Sequence, residues 1–371
     1  MKGKICHITS VHTRYDTRIF YKECVSLQKN GFGVTLLVCD EKNDEIIDDV
    51  KIISIKNYKY RIPRLLFTPW QLLADTIKNK ADIYHFHDPE LIFVGLSLKC
   101  LFNKTVIFDI HENIEQQMRT KYWLPKFSRP FFAAFYRLLI PIICKNFHLI
   151  LAENSYLKEY KKYSPSYMVI LNKPIISRLV NFRLVNRNKK NIFYVGQISE
   201  ERGFDIFLQV IIELDKYISD LKYHLVGSIE LTKENKAEYN KLPNIKFYGR
   251  LSWLEAYQIS KECGIGISIL KPTGNYLNSY STKIFEYMAI QMPFIVSDFA
   301  LYHDTVKRPK TGLLADPLNV KDVVEKMIQL MTDEQMYSEI QQNQKRFIQN
   351  FNWSQEEIKL VSFYEKIISK S

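Results

Sequence analysis

Residues 280–298 combine the side chains best suited to hold an anionic ligand. Ser281 or Thr282 can cap a helix whose apolar side carries residues 284, 285, 288 and 289. Lys283 and Glu286 lie one turn apart on another side. The first-turn amides attract phosphate, Lys283 adds charge, and Glu286 can accept hydrogen bonds from two vicinal hydroxyls. The pattern predicts a ligand with phosphate and sugar, with a solvated Lys–Glu pair on an ordinary amphipathic helix as the alternative.

A second anion-binding pattern follows the predicted strand 191–196. Gly196 ends this strand, Gln197 continues the loop, and the pair Arg202 and Gly203 precedes a helix. Glycines let backbone amides approach an anion closely, and the guanidinium can be aimed at the same point. The arrangement is a weak signal by itself, but it predicts a second phosphate contact.

The first half of the chain places polar residues after two predicted strands. The loop 10–18 contains no glycine and carries the candidate ligand-facing residues His12, Arg14 and Asp16. His111 follows the predicted strand 105–110. Ligands of parallel sheets bind beyond the carboxyl ends of strands, so these residues are predicted at a cleft, although His111 also fits a structural histidine. The lack of a GxGxxG fingerprint argues against nicotinamide cofactors.

Composition narrows the class of protein further. The 371 residues, 46% of them hydrophobic, are enough for two domains. The net charge of +12 favours an anionic partner such as a nucleotide or a lipid headgroup. Six scattered cysteines without a CxxC pair indicate a reduced, cytoplasmic protein without a cysteine metal site. No signal peptide and no apolar run long enough to span a membrane are recognised.

The segment 119–150 is basic and aromatic. It contains six Lys or Arg residues and no acidic residue, with Trp123, Phe127, Phe131, Phe132 and Phe135 interleaved. Such a segment is typical of peripheral contact with anionic lipid, which suits residues 121–132 best. The alternative is a buried domain helix over 131–144 with a kink at Pro141.

Strands and helices alternate along both halves of the chain, which predicts an α/β protein with two doubly wound parallel sheets. The predicted divisions are a first domain, a basic connection, a second domain and a terminal helix, at residues 1–172, 173–190, 191–352 and 353–371.

Five motifs, in order along the chain, resemble those of the retaining glycosyltransferases of family 4. They are His-x-x-x-Asp-x-Arg-Ile-x-x-Lys-Glu at 12–23, Asp-Ile-Tyr-His-Phe-His-Asp-Pro at 82–89, Asp-Ile-His-Glu at 109–112, Tyr-Val-Gly-Gln-Ile-Ser-Glu-Glu-Arg-Gly at 194–203 and Thr-Lys-Ile-Phe-Glu-Tyr-Met-Ala at 282–289. The segment Phe-Asn-Trp-Ser at 351–354 resembles the C-terminal element of the family. The resemblance implies the GT-B architecture: two facing Rossmann-like domains, with a C-terminal helix crossing back to the first domain.

The resemblance also implies residue roles. Glu286 corresponds to the glutamate that binds the nucleotide ribose, while Asn278 stands where the family has a second glutamate. Gln197 and Arg202 correspond to the pair of cations on the diphosphate, so one cation is missing, and Gln291 replaces a glycine. His111 corresponds to the histidine that contacts the donor sugar. The expected catalytic residues are therefore His111, Arg202 and Lys283; the donor-binding residues are Gly196, Gln197, Asn278, Ser281, Thr282 and Glu286; the acceptor-side residues are His12, Arg14 and Asp16.

The implied activity is transfer of a sugar, with retention, from a UDP- or GDP-linked donor to a hydroxyl of a glycan or lipid-linked acceptor in surface polysaccharide biosynthesis. No cofactor, metal or nucleic-acid partner is expected, because the chain has neither a DxD triplet nor a nucleic-acid-binding motif. The enzyme is expected in the cytoplasm, with peripheral contact at the inner membrane face. The alternatives are a noncatalytic nucleotide-sugar-binding protein, which the replacements at 278 and 197 would fit, and a nucleotide-sugar epimerase.

Overall fold

The computed structural model describes residues 1–56, 58, 60–120, 125, 127–164 and 166–369. The chain forms two compact units. The first comprises Met1–Asn172 together with Trp353–Ser371, and the second comprises Lys173–Asn352. Each unit is an α/β sandwich built on its own parallel sheet.

The first unit contains an eight-stranded sheet in the order β3-β4-β2-β1-β5-β6-β7-β8. All neighbours pair in parallel except β3 and β4. Its central strands are apolar almost throughout because helices cover both of their faces. The strands are β1 Lys4–Thr9, β2 Gly33–Cys39, β3 Glu45–Ile47, β4 Val50–Ile55, β5 Ile83–Phe86, β6 Thr105–Ile110, β7 His148–Leu151 and β8 Tyr167–Val169.

The helices of the first unit begin with a π-helical segment, Thr17–Cys24, which continues into α1. They are α1 Val25–Lys29, α2 Arg61–Lys78, α3 Ile92–Cys100, α4 Ile114–Thr120, α5 Arg129–Asn146 and α6 Leu157–Tyr160. The C-terminal helix Trp353–Ile368 also belongs to this unit. Its Trp353 indole donates to Ser26 Oγ (2.8 Å), and its Tyr364 hydroxyl lies 2.6 Å from His85 Nδ1. The terminal helix therefore completes the core of the first unit.

The second unit contains a six-stranded parallel sheet in the order β13-β11-β9-β14-β15-β16, and β10 and β12 form a separate pair. The strands are β9 Asn191–Val195, β10 Ile198–Ser199, β11 Lys222–Val226, β12 Ile229–Glu230, β13 Ile245–Gly249, β14 Ile265–Ser268, β15 Phe294–Ser297 and β16 Leu313–Ala315. The helices are α7 Ile176–Leu179, α8 Phe204–Leu214, α9 Lys233–Asn240, α10 Trp253–Ile259, α11 Thr282–Ala289, α12 Val320–Thr332 and α13 Glu334–Gln349; the terminal helix is α14.

Two segments differ from the sequence-based expectation. Residues 40–81, to which the sequence assigned no element, form β3, β4 and α2. Residues 173–190 are not a bare connection, because this segment carries α7 and packs on the second unit. Arg187 is buried there and donates to four backbone carbonyls, including those of Ser260 and Ile290. At least one basic residue of this segment, Arg187, therefore stabilises the second unit.

The basic-aromatic segment falls on α4 and α5, while residues 121–124 and 126, including Trp123, lie outside the described residues. Helix α5 runs on through Pro141, and one of its faces is buried at Ala133, Tyr136, Ile140, Ile143 and Cys144. The opposite face exposes Phe131, Phe135, Leu138 and Ile142. Helix α5 is therefore buried on one side only. Within the part of the chain that the structure describes, no helix has the length and hydrophobicity of a membrane span.

Candidate functional site

Helix α11 begins beyond the carboxyl end of β14. Ser281 precedes its first turn, and the Ser281 hydroxyl lies 2.8 Å from that of Ser268, the last residue of β14. The Ser281 amide donates to the Tyr302 hydroxyl (3.0 Å). The Ser281 side chain makes no capping hydrogen bond, so the predicted side-chain cap is wrong. Thr282 is the first helical residue and is half-buried. The bond between the two serines fixes the start of the helix at the strand end, where ligands of such sheets bind.

Lys283 is buried in the first turn of α11, with only 6% of its surface exposed. Its ammonium lies 4.0 Å from the ring centroid of Tyr194. Among the residues that the structure describes, no group forms a hydrogen bond with Nζ. Burial, with a smaller contribution from the charge of Arg202, lowers the pKa of Lys283 well below its usual range. A solvated Lys–Glu pair is therefore excluded, and the buried amine is available to an anion.

Tyr194 connects the two anion-binding segments predicted from the sequence. Its hydroxyl donates to the backbone carbonyl of Gln197 (2.7 Å), and its ring supports Lys283. Burial raises the pKa of Tyr194 to about 12, and the charge of Arg202 opposes this rise, so the guanidinium lies near the phenol. Gly196 has φ +136°, and a side chain there would come within 3.1 Å of Lys283 Nζ. The structure thus brings residues 196, 197, 202 and 283 together around a tyrosine that the sequence analysis missed.

Glu286 lies one turn after Lys283 and is 8% exposed. Its Oε1 accepts from the indole of Trp253 (2.9 Å), and its Oε2 accepts from the hydroxyl of Tyr257 (2.6 Å). A carboxylate oxygen can accept more than one hydrogen bond, so these two contacts do not in themselves exclude a ligand hydroxyl. The two α10 side chains therefore orient this carboxylate. Sequence reasoning missed them because only the fold places α10 beside α11.

Asn278 follows a 3₁₀ turn, Gly274–Leu277, and is exposed. Three residues separate it from the first residue of α11. Tyr276 lies in this turn, Gly274–Leu277. Arg202 is the last residue of a different 3₁₀ turn, Glu200–Arg202, and its guanidinium carbon lies 5.8 Å from the ring centroid of Tyr276. The loop with Asn278 therefore extends toward the Arg202 side of the anion-binding cluster.

In the first unit, three loops follow the adjacent strands β1, β5 and β6. His12, in the first loop, lies 3.4 Å from both Asp16 and Asp88. Burial opposes protonation, but the hydrogen bond to Asp16 and the charge of Asp88 raise the pKa of His12 to about 9. Asp16 also accepts from the amides of residues 18 and 19 and caps the π-helical segment. His12 and Asp16 are therefore an ion pair at the carboxyl edge of the sheet.

Arg14 does not share this position. Its guanidinium forms ion pairs with Asp40 and Glu45 and donates to the carbonyl of Asn43. Arg14 is buried by these contacts. The prediction that it faces an acceptor is corrected accordingly: Arg14 ties the loop after β1 to the segment after β2.

His111 follows β6 and lies within the polar cluster, with 18% of its side chain exposed. Its Nε2 is 2.7 Å from Oδ2 of Asp109, which is fully buried. Arg18 donates to both oxygens of Asp109 at 2.8 and 2.9 Å. The His111 ring centroid is 5.2 Å from that of His12. The structure thus joins two predicted site residues, His12 and His111, at one sheet edge.

Two groups in this unit have metal-ligand spacing: His7, Glu23, His85 and His87, and a second group of His87, Asp109 and His111. The guanidinium of Arg18 already lies 3.1 Å from Glu23 and 2.8 Å from Asp109. Its charge balances that of Asp109, whereas burial and the neighbouring Asp109 raise the pKa of Glu23 well above its usual range, so that this carboxyl is uncharged. We therefore interpret both groups as hydrogen-bonded clusters.

The architecture is that of the GT-B glycosyltransferases. Sucrose-phosphate synthase from Thermosynechococcus elongatus superposes with a TM-score of 0.77 at 16% identity, covering 99% of this chain and 100% of that one. A glycosyltransferase from Rickettsia africae gives 0.71 at 14% identity, with 99% of each chain covered. Anabaena HepE, in complex with UDP and glucose, gives 0.68 at 11% identity over the whole of both chains. At these identities the similarity establishes the fold.

Family models identify the chain more closely. Residues 178–347 match glycosyl transferases group 1, and residues 17–161 match glycosyltransferase family 4. The two matches together cover most of the chain, which therefore belongs to the family-4 glycosyltransferases. An uncharacterized glycosyltransferase of Methanocaldococcus jannaschii is 26% identical over 176 residues, 47% of each protein. The chain thus matches about half the length of this curated relative. The predicted family and fold class are confirmed.

Proposed function

We propose that this glycosyltransferase moves a sugar from a UDP- or GDP-linked donor to a hydroxyl of a glycan or lipid-linked acceptor in surface polysaccharide biosynthesis. The observation that carries the proposal is the buried amine of Lys283, which lacks a hydrogen-bond partner among the described residues. A buried amine of this kind costs stability unless a ligand engages it. A diphosphate supplies the missing charge and acceptors.

The donor site is assigned to the second unit. The diphosphate would contact Lys283, Arg202 and the first-turn amides of α11, with Gly196 permitting its approach. Glu286, oriented by Trp253 and Tyr257, would accept from the ribose hydroxyls. This arrangement supplies cations and amides to the oxygen on which negative charge develops as the nucleotide leaves.

We further propose that catalysis needs no metal and retains the anomeric configuration. The cationic and amide groups just described can stabilise the leaving diphosphate without a divalent ion. The described site offers no pair of carboxylates as nucleophile and acid, so attack from the face that the nucleotide leaves is favoured over a covalent double displacement. In the first unit, His111 would contact the transferred sugar, and His12 with Asp16 would contact the acceptor.

Peripheral contact with anionic lipid is proposed for the exposed face of α5. On α5, Phe131, Phe135, Leu138 and Ile142 recur every three or four residues and are exposed, and Phe127, just before the helix, is exposed as well. Exposed apolar side chains also occur on the neighbouring α3, at Phe93, and directly after it, at Leu101. Basic residues accompany the stripe at 129, 137 and 145. An apolar stripe with basic flanks fits an interfacial helix and supports a location at the inner membrane face.

The donor is identified by thermal melting with UDP, GDP, ADP and their sugar conjugates, followed by assays for nucleotide release. A transferase is expected to be stabilised by one nucleotide and to release it slowly from the matching sugar conjugate. Arg202→Ala and Glu286→Ala are expected to lower transfer at least tenfold while remaining folded. Arg308→Ala, which removes a highly exposed arginine, is the control. Stabilisation by a nucleotide-sugar without turnover would instead identify a binding protein.

Lipid contact is tested by sedimentation with vesicles containing anionic lipid. The double variant Phe131→Ser and Leu138→Ser is expected to lose most of its binding to vesicles. Burial of each apolar side chain in the lipid interface would contribute roughly 2 kcal/mol to the binding free energy. Ile358→Ser removes an exposed apolar side chain on the terminal helix and serves as the control. Equal binding by the double variant and the control would refute the α5 surface.

A further inference from the structure

We propose that Asp109 is a positioning residue that fixes the tautomer of His111, so that His111 presents Nδ1 to the substrate as a hydrogen-bond acceptor. The inference rests on the proposed function in one respect, namely that His111 contacts substrate. It goes further because it names the atom that makes this contact and the group that donates to it, a substrate hydroxyl. It also names the residues that determine which nitrogen of His111 carries the hydrogen.

The carboxylate of Asp109 is held as an anion. Arg18 donates to it through Nε (2.8 Å) and Nη2 (2.9 Å), and a third guanidinium hydrogen bond joins Nη1 to the Ile170 carbonyl. Both residues are buried. Although burial raises it, the charge of Arg18 holds the pKa of Asp109 well below its usual range. At neutral pH, Asp109 can only accept hydrogen bonds.

An acceptor at Asp109 determines which nitrogen of His111 carries hydrogen. Nε2 lies 2.7 Å from Oδ2, so this nitrogen must be the donor. In a neutral imidazole the other nitrogen then has a lone pair. Asp109 is fully buried, whereas 18% of the His111 side chain is exposed, and we place the ligand at the Nδ1 edge because Nε2 is bonded to Asp109. The structure thus assigns an acceptor, rather than a donor, to the ligand side of His111.

Two buried histidines, His87 and His7, lie behind Asp109 and His111. His87 Nδ1 is 3.3 Å from His111 Nε2 and 3.4 Å from Oδ2 of Asp109, and His87 Nε2 is 3.0 Å from His7 Nδ1. Burial lowers the pKa of His87 to about 4 and that of His7 well below its usual value, so both rings are neutral at pH 7. Asp109 and His111 therefore lie at one end of a contiguous series of three histidines, two of which are neutral.

A charged imidazolium lies beside the ring of His111. His12, which the two nearby aspartates hold protonated, lies with its ring centroid 5.2 Å from that of His111. His111 with a lone pair at Nδ1 can accept from a sugar hydroxyl, and its fixed Nε2–H bond keeps the ring from rotating.

The tautomer is measured directly by NMR on protein labelled with ¹⁵N-histidine, with His111 assigned from the spectrum of His111→Asn. A protonated Nε2 and an unprotonated Nδ1 are expected, and Asp109→Asn is expected to convert a measurable fraction to the other tautomer. A hydrogen on Nδ1 in the wild type overturns the proposal. So does an unchanged tautomer in folded Asp109→Asn. The NMR measurement does not require enzyme activity. The tautomer can therefore be determined even if the proposed function is wrong.

Two substitutions of His111 itself test the ligand side without disturbing the Arg18–Asp109 pair. Asparagine places an amide oxygen near the position of Nδ1, whereas glutamine reaches toward that of Nε2. His111→Asn is expected to keep a kcat at least tenfold above that of His111→Gln. His148, bonded to Ser166 away from the cluster, provides the matched Asn and Gln controls, which should not differ. Equal kcat values for the two His111 variants, or the reverse order, would overturn the assignment even if Asp109→Asn does not fold.

Discussion

Replacing Lys283 with methionine is predicted to stabilise the unliganded protein and to abolish tight nucleotide binding. The amine is buried and, among the described residues, has no hydrogen-bond partner. Methionine keeps the length of the aliphatic stem and removes the polar end, and its sulfur can still pack against the ring of Tyr194. The same change removes a cation from the proposed diphosphate site, so stability and function should move in opposite directions.

The magnitude follows from two opposing contributions. An unsatisfied buried polar group costs about 1–3 kcal/mol, and the contact of Lys283 with the ring of Tyr194 returns about 1 kcal/mol. A net gain of about 1 kcal/mol in the free energy of unfolding corresponds to a Tm increase of about 2–4 °C for a unit of this size. Loss of a hydrogen bond to a charged group weakens binding by about 1.5–3 kcal/mol, or at least tenfold in Kd.

The stability difference should also depend on pH. Burial lowers the pKa of Lys283 in the folded protein below the usual value of 10.5, so the unfolded chain binds more protons between these two values. The free energy of unfolding of the wild type therefore rises with pH across this interval, relative to Lys283→Met. The advantage of the variant should shrink as the pH increases toward 10.5.

The assay is thermal melting at several pH values, with and without the nucleotide that stabilises the wild type. Lys246→Met is the matched control, because Lys246 also lies over a tyrosine ring, that of Tyr248 at 4.7 Å, but is exposed. The control should leave both Tm and nucleotide binding unchanged. A lower Tm for Lys283→Met combined with an unchanged nucleotide shift would refute the reasoning, since it would show that the amine has a partner in the free protein and none in the ligand.

Three further predictions concern other groups of the two units. Tyr257→Phe, which removes a 2.6 Å hydrogen bond to Glu286, should weaken nucleotide binding about three- to tenfold in calorimetry, whereas Tyr337→Phe should not. His12→Gln should lower the free energy of unfolding most below pH 6.5, with the difference declining toward pH 9, because the folded pKa is raised to about 9; denaturant titrations that show no such decline would contradict the ion pair with Asp16. EDTA should leave transfer unchanged, and loss of activity that Mg²⁺ or Mn²⁺ restores would exclude metal-independent catalysis.

Local pattern was sufficient for most of the fold. The terminal helix was predicted over 353–371 and is observed over Trp353–Ile368, because its apolar side chains recur at helical spacing. Strand β6 was likewise predicted over Thr105–Ile110. Helix α2 could not be predicted in this way because Pro69 interrupts its pattern; in the fold it packs against α3 and β1.

The sequence by itself determined which residues could bind a phosphate and a sugar, since residue type and helical spacing are local properties: Lys283 and Glu286 were found in this way. Only the tertiary structure decided their state. The fold buries the amine of Lys283 against the ring of Tyr194. It orients the carboxylate of Glu286 through hydrogen bonds from Trp253 and Tyr257. It also pairs Arg14 with Asp40, which gives Arg14 a structural role. These outcomes depend on contacts between residues distant in the chain, and burial sets the charge and hydrogen-bonding capacity that chemistry requires.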